Sequence, residues 1–101
     1  MSLEDIQKIK YAIDDTGLLS NSQKIILKYL ISFNIDRGVS SSSIMDYLEI
    51  TKQAINFSLK QLMKRGFVCR NKDRVFVYKV NLGRMHELVE DFDKKLKLKQ
   101  N

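Results

Sequence analysis

The chain has 101 residues, 44% of them apolar and 30% charged, with no proline and a formal net charge of +6. That length suits one domain and that apolar fraction a compact core, and no apolar run approaches the roughly 20 residues a membrane-spanning helix needs. Met1-Ser2-Leu3-Glu4-Asp5 lacks the basic start and apolar centre of a signal peptide, and Cys69 is the only cysteine. Neither an internal disulfide nor a multi-thiol metal site is therefore expected, and a cytoplasmic location is the default.

Ser2, with Asp5 three positions on, has the pattern of a capping box and opens a helix with Leu3, Ile6, Ile9 and Ile13 on its apolar face. Asp14-Asp15-Thr16-Gly17 stops it, giving an N-terminal helix over residues 1–17. Leu18-Leu19 leads to a second helix, opened by Ser20 and Gln23, with Ile26, Leu27, Leu30 and Phe33 as core face and Ile25 and Tyr29 flanking. A loop from Asn34 to Gly38 follows, and Val39 can add a short strand. Ser40 caps a short helix to Leu48, with Ile44, Met45 and Leu48 inward. Ser41 and Ser42 fall at its start. They read either as phosphate-holding groups beside free amides or as plain solvent-facing serines.

Glu49-Ile50 then turns the chain into Thr51, a good N-cap, and Gly66 is suited to the left-handed residue that ends a helix. Between them Ala54, Ile55, Leu59 and Leu62 define an apolar stripe, and the other side offers Lys52, Gln53, Asn56, Phe57, Lys60 and Gln61. Asn and Gln can pair with adenine edges in a major groove. Phe67-Val68-Cys69-Arg70 and Val75-Phe76-Val77-Tyr78-Lys79-Val80 flank the polar tip Asn71-Lys72-Asp73-Arg74, the pattern of a hairpin. Alternation puts Phe67 and Cys69 on one face and Val68 and Arg70 on the other. Arg70, Lys72 and Arg74 gather near the tip, where cations reach phosphates or a narrow minor groove.

Helix, turn, helix and hairpin follow the order of a winged helix-turn-helix. The run Thr51-Lys52-Gln53-Ala54-Ile55-Asn56-Phe57-Ser58-Leu59-Lys60-Gln61-Leu62, followed by Arg65-Gly66-Phe67-Val68, resembles the signature of winged-helix regulators of the MarR type. Those run Ser-Lys-x-Thr-Val-x-x-x-Leu, two residues, Leu, then a Gly-hydrophobic-Val step into the wing. The resemblance covers residues 20 to 80 and implies DNA binding. Two positions depart from it. Glu49 stands where glycine is usual in the turn, implying a left-handed residue at some cost or a rearranged turn. Phe57 stands where such families often carry a polar residue reaching into the groove. It can contact a thymine methyl, mark the wing as the main reader, or belong to a protein interface.

Charge supports a nucleic-acid partner. Residues 52 to 79 hold eight basic residues against the single acid Asp73, while the remainder holds ten basic and eleven acidic. An excess confined to one segment is the footprint of a nucleic-acid binder. In the last helix Leu82, Met85, Val89, Phe92 and Leu96 recur at spacings of three and four, with Leu88 widening the stripe. Packing against the first helix is one reading. The resemblance to MarR and PadR proteins implies the other, a dimer interface. Residues 94–101, with Lys94, Lys95, Lys97 and Lys99 in solvent, are expected to fray.

The fold expected is mainly α with a small β-hairpin wing, an α+β winged helix-turn-helix with a C-terminal dimerisation helix. One domain spans residues 1–101: N-terminal helix 1–17, helix-turn-helix 40–66, wing 67–80 and C-terminal helix 81–97. The expected DNA contacts are Ser41, Ser42, Lys52, Gln53, Asn56, Phe57, Lys60, Arg70, Lys72 and Arg74. No catalytic, metal or cofactor site is expected. His86 stands alone, and the chain has no Gly-rich phosphate loop, HExxH or CxxC. The function expected is a small dimeric regulator of transcription binding specific double-stranded DNA. The alternatives are a plasmid or phage accessory factor at a transfer or replication origin, and a winged helix used for protein contact.

Overall fold

The computed structural model describes residues 2–33, 35–72 and 74–99. Asn34 of the expected loop, Asp73 of the expected tip and the last two residues lie outside that range, as does Met1. The elements run α1 (Leu3–Asp15), α2 (Asn21–Ser32), β1 (Val39–Ser40), α3 (Ser41–Leu48), α4 (Lys52–Lys64), β2 (Val68–Lys72), β3 (Phe76–Val80) and α5 (Leu82–Lys99).

Side-chain oxygens start the helices. Ser2 Oγ accepts from the Asp5 backbone N–H at 3.2 Å, and the Asp5 carboxylate accepts from the Ser2 N–H at 3.3 Å. Hydrogen bonding to the Asp5 carboxylate from the Ser2 hydroxyl, and next from the Ser2 N–H, holds the Asp5 pKa below its ordinary value. Ser20 and Gln23 repeat the box on α2, and Ser40 and Thr51 cap α3 and α4. At the far end of α4, Gly66 sits at φ 79°. Its N–H donates to Met63 O at 3.0 Å, and the Phe67 N–H donates to Leu62 O at 2.9 Å. That pair of bonds is a Schellman ending, which places glycine at the left-handed residue. Between α3 and α4, Glu49 is itself left-handed, at φ 53° and ψ 41°. The turn is kept without glycine, at a backbone cost of roughly 1–2 kcal/mol.

The three strands form one antiparallel sheet in the order β1-β3-β2, with Val39 opposite Tyr78 and Ser40 opposite Val77. The core gathers Ile9, Ala12 and Ile13 of α1, Ile26, Leu27, Leu30 and Ile31 of α2, Ile44 of α3, and Ile55, Leu59 and Leu62 of α4. Val39, Val68, Tyr78 and Val80 of the sheet, Phe67, and Met85 and Leu88 of α5 complete it.

Several residues sit differently from the sequence expectation. Ala54 is exposed, and Ser58 lies with Ile55, Leu59 and Leu62 on the buried side of α4. Phe33 is partly exposed and Ile31 is buried instead, because α2 ends at Ser32 and Phe33 leaves in extended conformation. Leu3 is 82% exposed. Strand alternation does not govern Phe67. It belongs to the ending of α4, outside the ladder, so Phe67 and Val68 are both buried while Cys69 is exposed. Asn71 and Lys72 belong to β2, and Val75 lies outside β3. The last helix continues beyond 97 to Lys99.

Candidate nucleic-acid interface

Helix α4 presents a polar line opposite its buried stripe. Gln53, Phe57, Lys60 and Lys64 recur at spacings of four, three and four, and all are exposed. Phe57 is 64% exposed. Lys52 and Asn56 are exposed to one side of this line. The wing stands next to that side. Asn56, Leu59, Lys60 and Met63 of α4 and Arg70 and Tyr78 of the hairpin line one open cleft of about 510 Å³. Residues from 56 to 78 thus meet in one groove, through the close turn at Gly66.

The expected contact residues divide into three groups. Lys52, Gln53, Asn56, Phe57 and Lys60 lie exposed on α4, with Asn56 and Lys60 in the cleft. Arg70 and Lys72 are exposed on β2, and Arg74 follows beyond the strand end. Ser41 is half-buried and Ser42 exposed at the start of α3. Ser42 Oγ lies 3.2 Å from Ser40 Oγ, which also reaches Ser43 Oγ at 3.0 Å. The hydroxyls of Ser40, Ser42 and Ser43 therefore already hold one another.

Electrostatics set this face apart. Four ion pairs join described residues: Lys8 with Asp93 at 3.1 Å, Lys28 with Asp14 at 2.8 Å, Lys95 with Asp15 at 3.1 Å, and Arg84 with Glu87. None involves Lys52, Lys60, Lys64, Arg70, Lys72, Arg74 or Lys79. Those seven cations have no acidic partner among the described residues. Arg65, the remaining basic residue of the segment, donates to Leu18 O and ties the end of α4 to the α1–α2 connector.

Three contributors were not expected from sequence. Met63 and Tyr78 wall the cleft, and Phe76 lies under two wing cations, Arg70 with its guanidinium carbon 4.3 Å from the ring centre and Lys72 with its amine at 5.7 Å. The cross-strand register that pairs Lys72 with Phe76 supplies the signal, and it becomes readable once β2 is known to extend to residue 72.

The seam expected to pair two copies is only partly available. Met85 is fully buried against the chain's own core, so it cannot face a partner in this arrangement. Val89 and Phe92 are half-buried beside that core, while Leu82 and Leu96 are exposed. The reason is that α5 packs along α1, with Lys8–Asp93 and Lys95–Asp15 spanning the two helices. No helix among the described residues is long and apolar enough to cross a membrane, and no three His, Cys, Asp or Glu side chains among them gather as a metal site.

Two helices joined by a tight turn, followed by a hairpin that folds back beside the second helix, define a winged helix-turn-helix. The sequence matches no protein-family model and no curated protein sequence. The fold matches solved structures throughout its length. A mutant of S. aureus MepR aligns at TM-score 0.65 and 22% identity, over 96% of this chain and 72% of that one. The ST1889 protein of Sulfolobus tokodaii aligns at TM-score 0.61 and 20% identity over the whole of both chains. A MarR transcriptional regulator from Methanosarcina mazei Go1 aligns at TM-score 0.52 and 20% identity, over 92% of this chain and 66% of that one. The fold is a winged helix, the one these solved structures share.

Proposed function

We infer that this chain binds double-stranded DNA in a sequence-specific way and acts as a small transcriptional regulator. One observation carries the reading: seven cations of α4 and the wing have no acidic partner among the described residues, and two of them, Lys60 and Arg70, line the cleft between those elements. Uncompensated cations gathered on two neighbouring elements suit a polyanion whose backbone runs past them. Gln53 and Asn56 bring amide groups that can read adenine edges, and Phe57 brings an apolar surface for a thymine methyl. Transcriptional regulators among the structural neighbours agree with this assignment.

The protein acts as a homodimer in this reading. Leu82, Leu96 and the open sides of Val89 and Phe92 supply the apolar surface, with help from the exposed Leu3 of α1, while Met85 stays in the protomer core. Selection from a random duplex library, with the enriched sites sequenced, tests both parts. A palindromic site is the expected result. Enrichment of a site that occurs at transfer or replication origins and not at promoters would move the role to an accessory factor. No enrichment would overturn specific DNA reading and turn attention to Phe57 as part of a protein interface.

A further inference from the structure

The antiparallel register of the hairpin pairs Val68 with Val80, Arg70 with Tyr78 and Lys72 with Phe76. Residues directly opposite in such a ladder share a face. At its base this face is core, since Val68, Tyr78 and Val80 are buried. Toward the tip the same face carries Arg70, Lys72 and Phe76, all exposed. Phe76 is 45% exposed. It lies too far along the strand to fill the core, and its ring instead underlies the guanidinium of Arg70 and, farther off, the amine of Lys72. Both distances fall within the range at which a ring face attracts a cation. Long cationic side chains otherwise sample many rotamers, and ordering them on binding costs entropy.

We propose that Phe76 is a positioning residue, its ring holding Arg70 and Lys72 as one unit on the α4 side of the wing. Arg70 then meets the same stretch of duplex as Asn56 and Lys60, with which it already lines the cleft. Arg74 is left to act alone at the tip. A guanidinium stacked on a ring keeps its N–H edges free, so Arg70 can still bond phosphate or a guanine edge. The inference rests on the duplex-DNA reading above and assigns a division of labour within it.

The test has two arms. In the free protein, proton NMR of Arg70 should show side-chain signals shifted upfield by the ring current of Phe76, and Phe76→Leu should return them to ordinary positions. Against a mixed-sequence duplex, Phe76→Leu should weaken binding about two- to fivefold, the size of an exposed cation–π contact. Phe76→Tyr should restore the affinity, and Phe76→Leu should change nothing further in an Arg70→Ala, Lys72→Ala background. Absence of the ring-current shift overturns this proposal and leaves the DNA reading intact. The same holds for an equal loss of affinity in the doubly substituted background, which would give Phe76 a contact of its own. Failure of the unmodified chain to bind any duplex overturns the DNA reading, and the proposal falls with it.

Discussion

The α1–α5 side and the α4–wing side are both rich in charge but use it in opposite ways. On the first, Asp14 and Asp15 at the end of α1 pair with Lys28 and Lys95, and Lys8 pairs with Asp93. Lys24 adds a bond from its amine to Asp14 O at 2.8 Å. Cation and acid neutralise each other there, and the pairs link α1 to α2 and α5. On the second side Lys52, Lys60, Lys64, Arg70, Lys72 and Arg74 have no such partner among the described residues. Charge balanced inside the chain serves the fold. Charge left unbalanced on one groove repels itself in the free protein and is relieved by an anionic partner.

The sharpest way to break the comparison is through α5, which belongs to the paired side but was expected to face outward. Met85→Glu places a carboxylate in the protomer core and should unfold the chain, a cost of several kcal/mol; loss of the thermal transition in calorimetry checks it. Phe92→Glu touches only a half-buried position, so the chain should stay folded while sedimentation shows weaker self-association. If Met85→Glu leaves a folded monomer, the packing of α5 on α1 described here is wrong.

Substitutions on the α4–wing side should act on binding and leave stability alone. Asn56→Ala should cost about 1–3 kcal/mol at one or two base positions. Arg74→Ala should weaken binding to every sequence, most strongly with A·T-rich flanks if the side chain enters a narrow minor groove. Binding profiles over single-base changes of the preferred site distinguish the two. A profile unchanged by Asn56→Ala and reshaped by Arg74→Ala would make the wing the reader and α4 a positioning element.

The paired side predicts the reverse pattern with smaller effects. Lys95→Ala removes an exposed ion pair, and should lower unfolding stability by about 0–1 kcal/mol while leaving duplex affinity unchanged. The smallest effect concerns the start of α1. The Asp5 carboxylate is held below its ordinary pKa by the bonds from Ser2. Its contribution to helix stability is present above the unfolded-state value and is lost as pH falls through the depressed folded value. Protection of the first-turn amides of α1, taken relative to their intrinsic exchange rates, should therefore fall in acid, and Asp5→Asn should remove that pH dependence.

The sequence already made local punctuation legible. Ser2, Ser20, Ser40, Thr51 and Gly66 act through hydrogen bonds within a few residues, so their positions alone located the helix ends. Periodicity was less exact at the margins. The polarity of Ser58 hides its buried place on α4, and the apolarity of Ala54 implies a burial it does not have. Phe67 reads as a strand residue in sequence, but the Schellman ending extends one residue past Gly66 and takes it in. The candidate groove was legible as a list of cations and amides but not as a place. Its geometry depends on how the wing folds back beside α4, which sets Arg70 and Asn56 in the lining of one cleft, and on the register that sets Phe76 opposite Lys72. Met85 belonged to an apolar seam that suited either an internal or an external partner, and only the packing of α5 along α1 settles which.

The central claim is that the unpaired cations of α4 and the wing take up DNA phosphates. Duplex affinity measured over rising salt tests it most directly. Each phosphate neutralised contributes about −0.9 to the slope of log affinity against log salt. The slope should be steep and negative, made shallower by about one unit each in Lys60→Ala and Lys72→Ala and left as it is by Lys8→Ala or Lys95→Ala. A flat response in the unmodified chain, or an equal change from cations on the two sides, would contradict it.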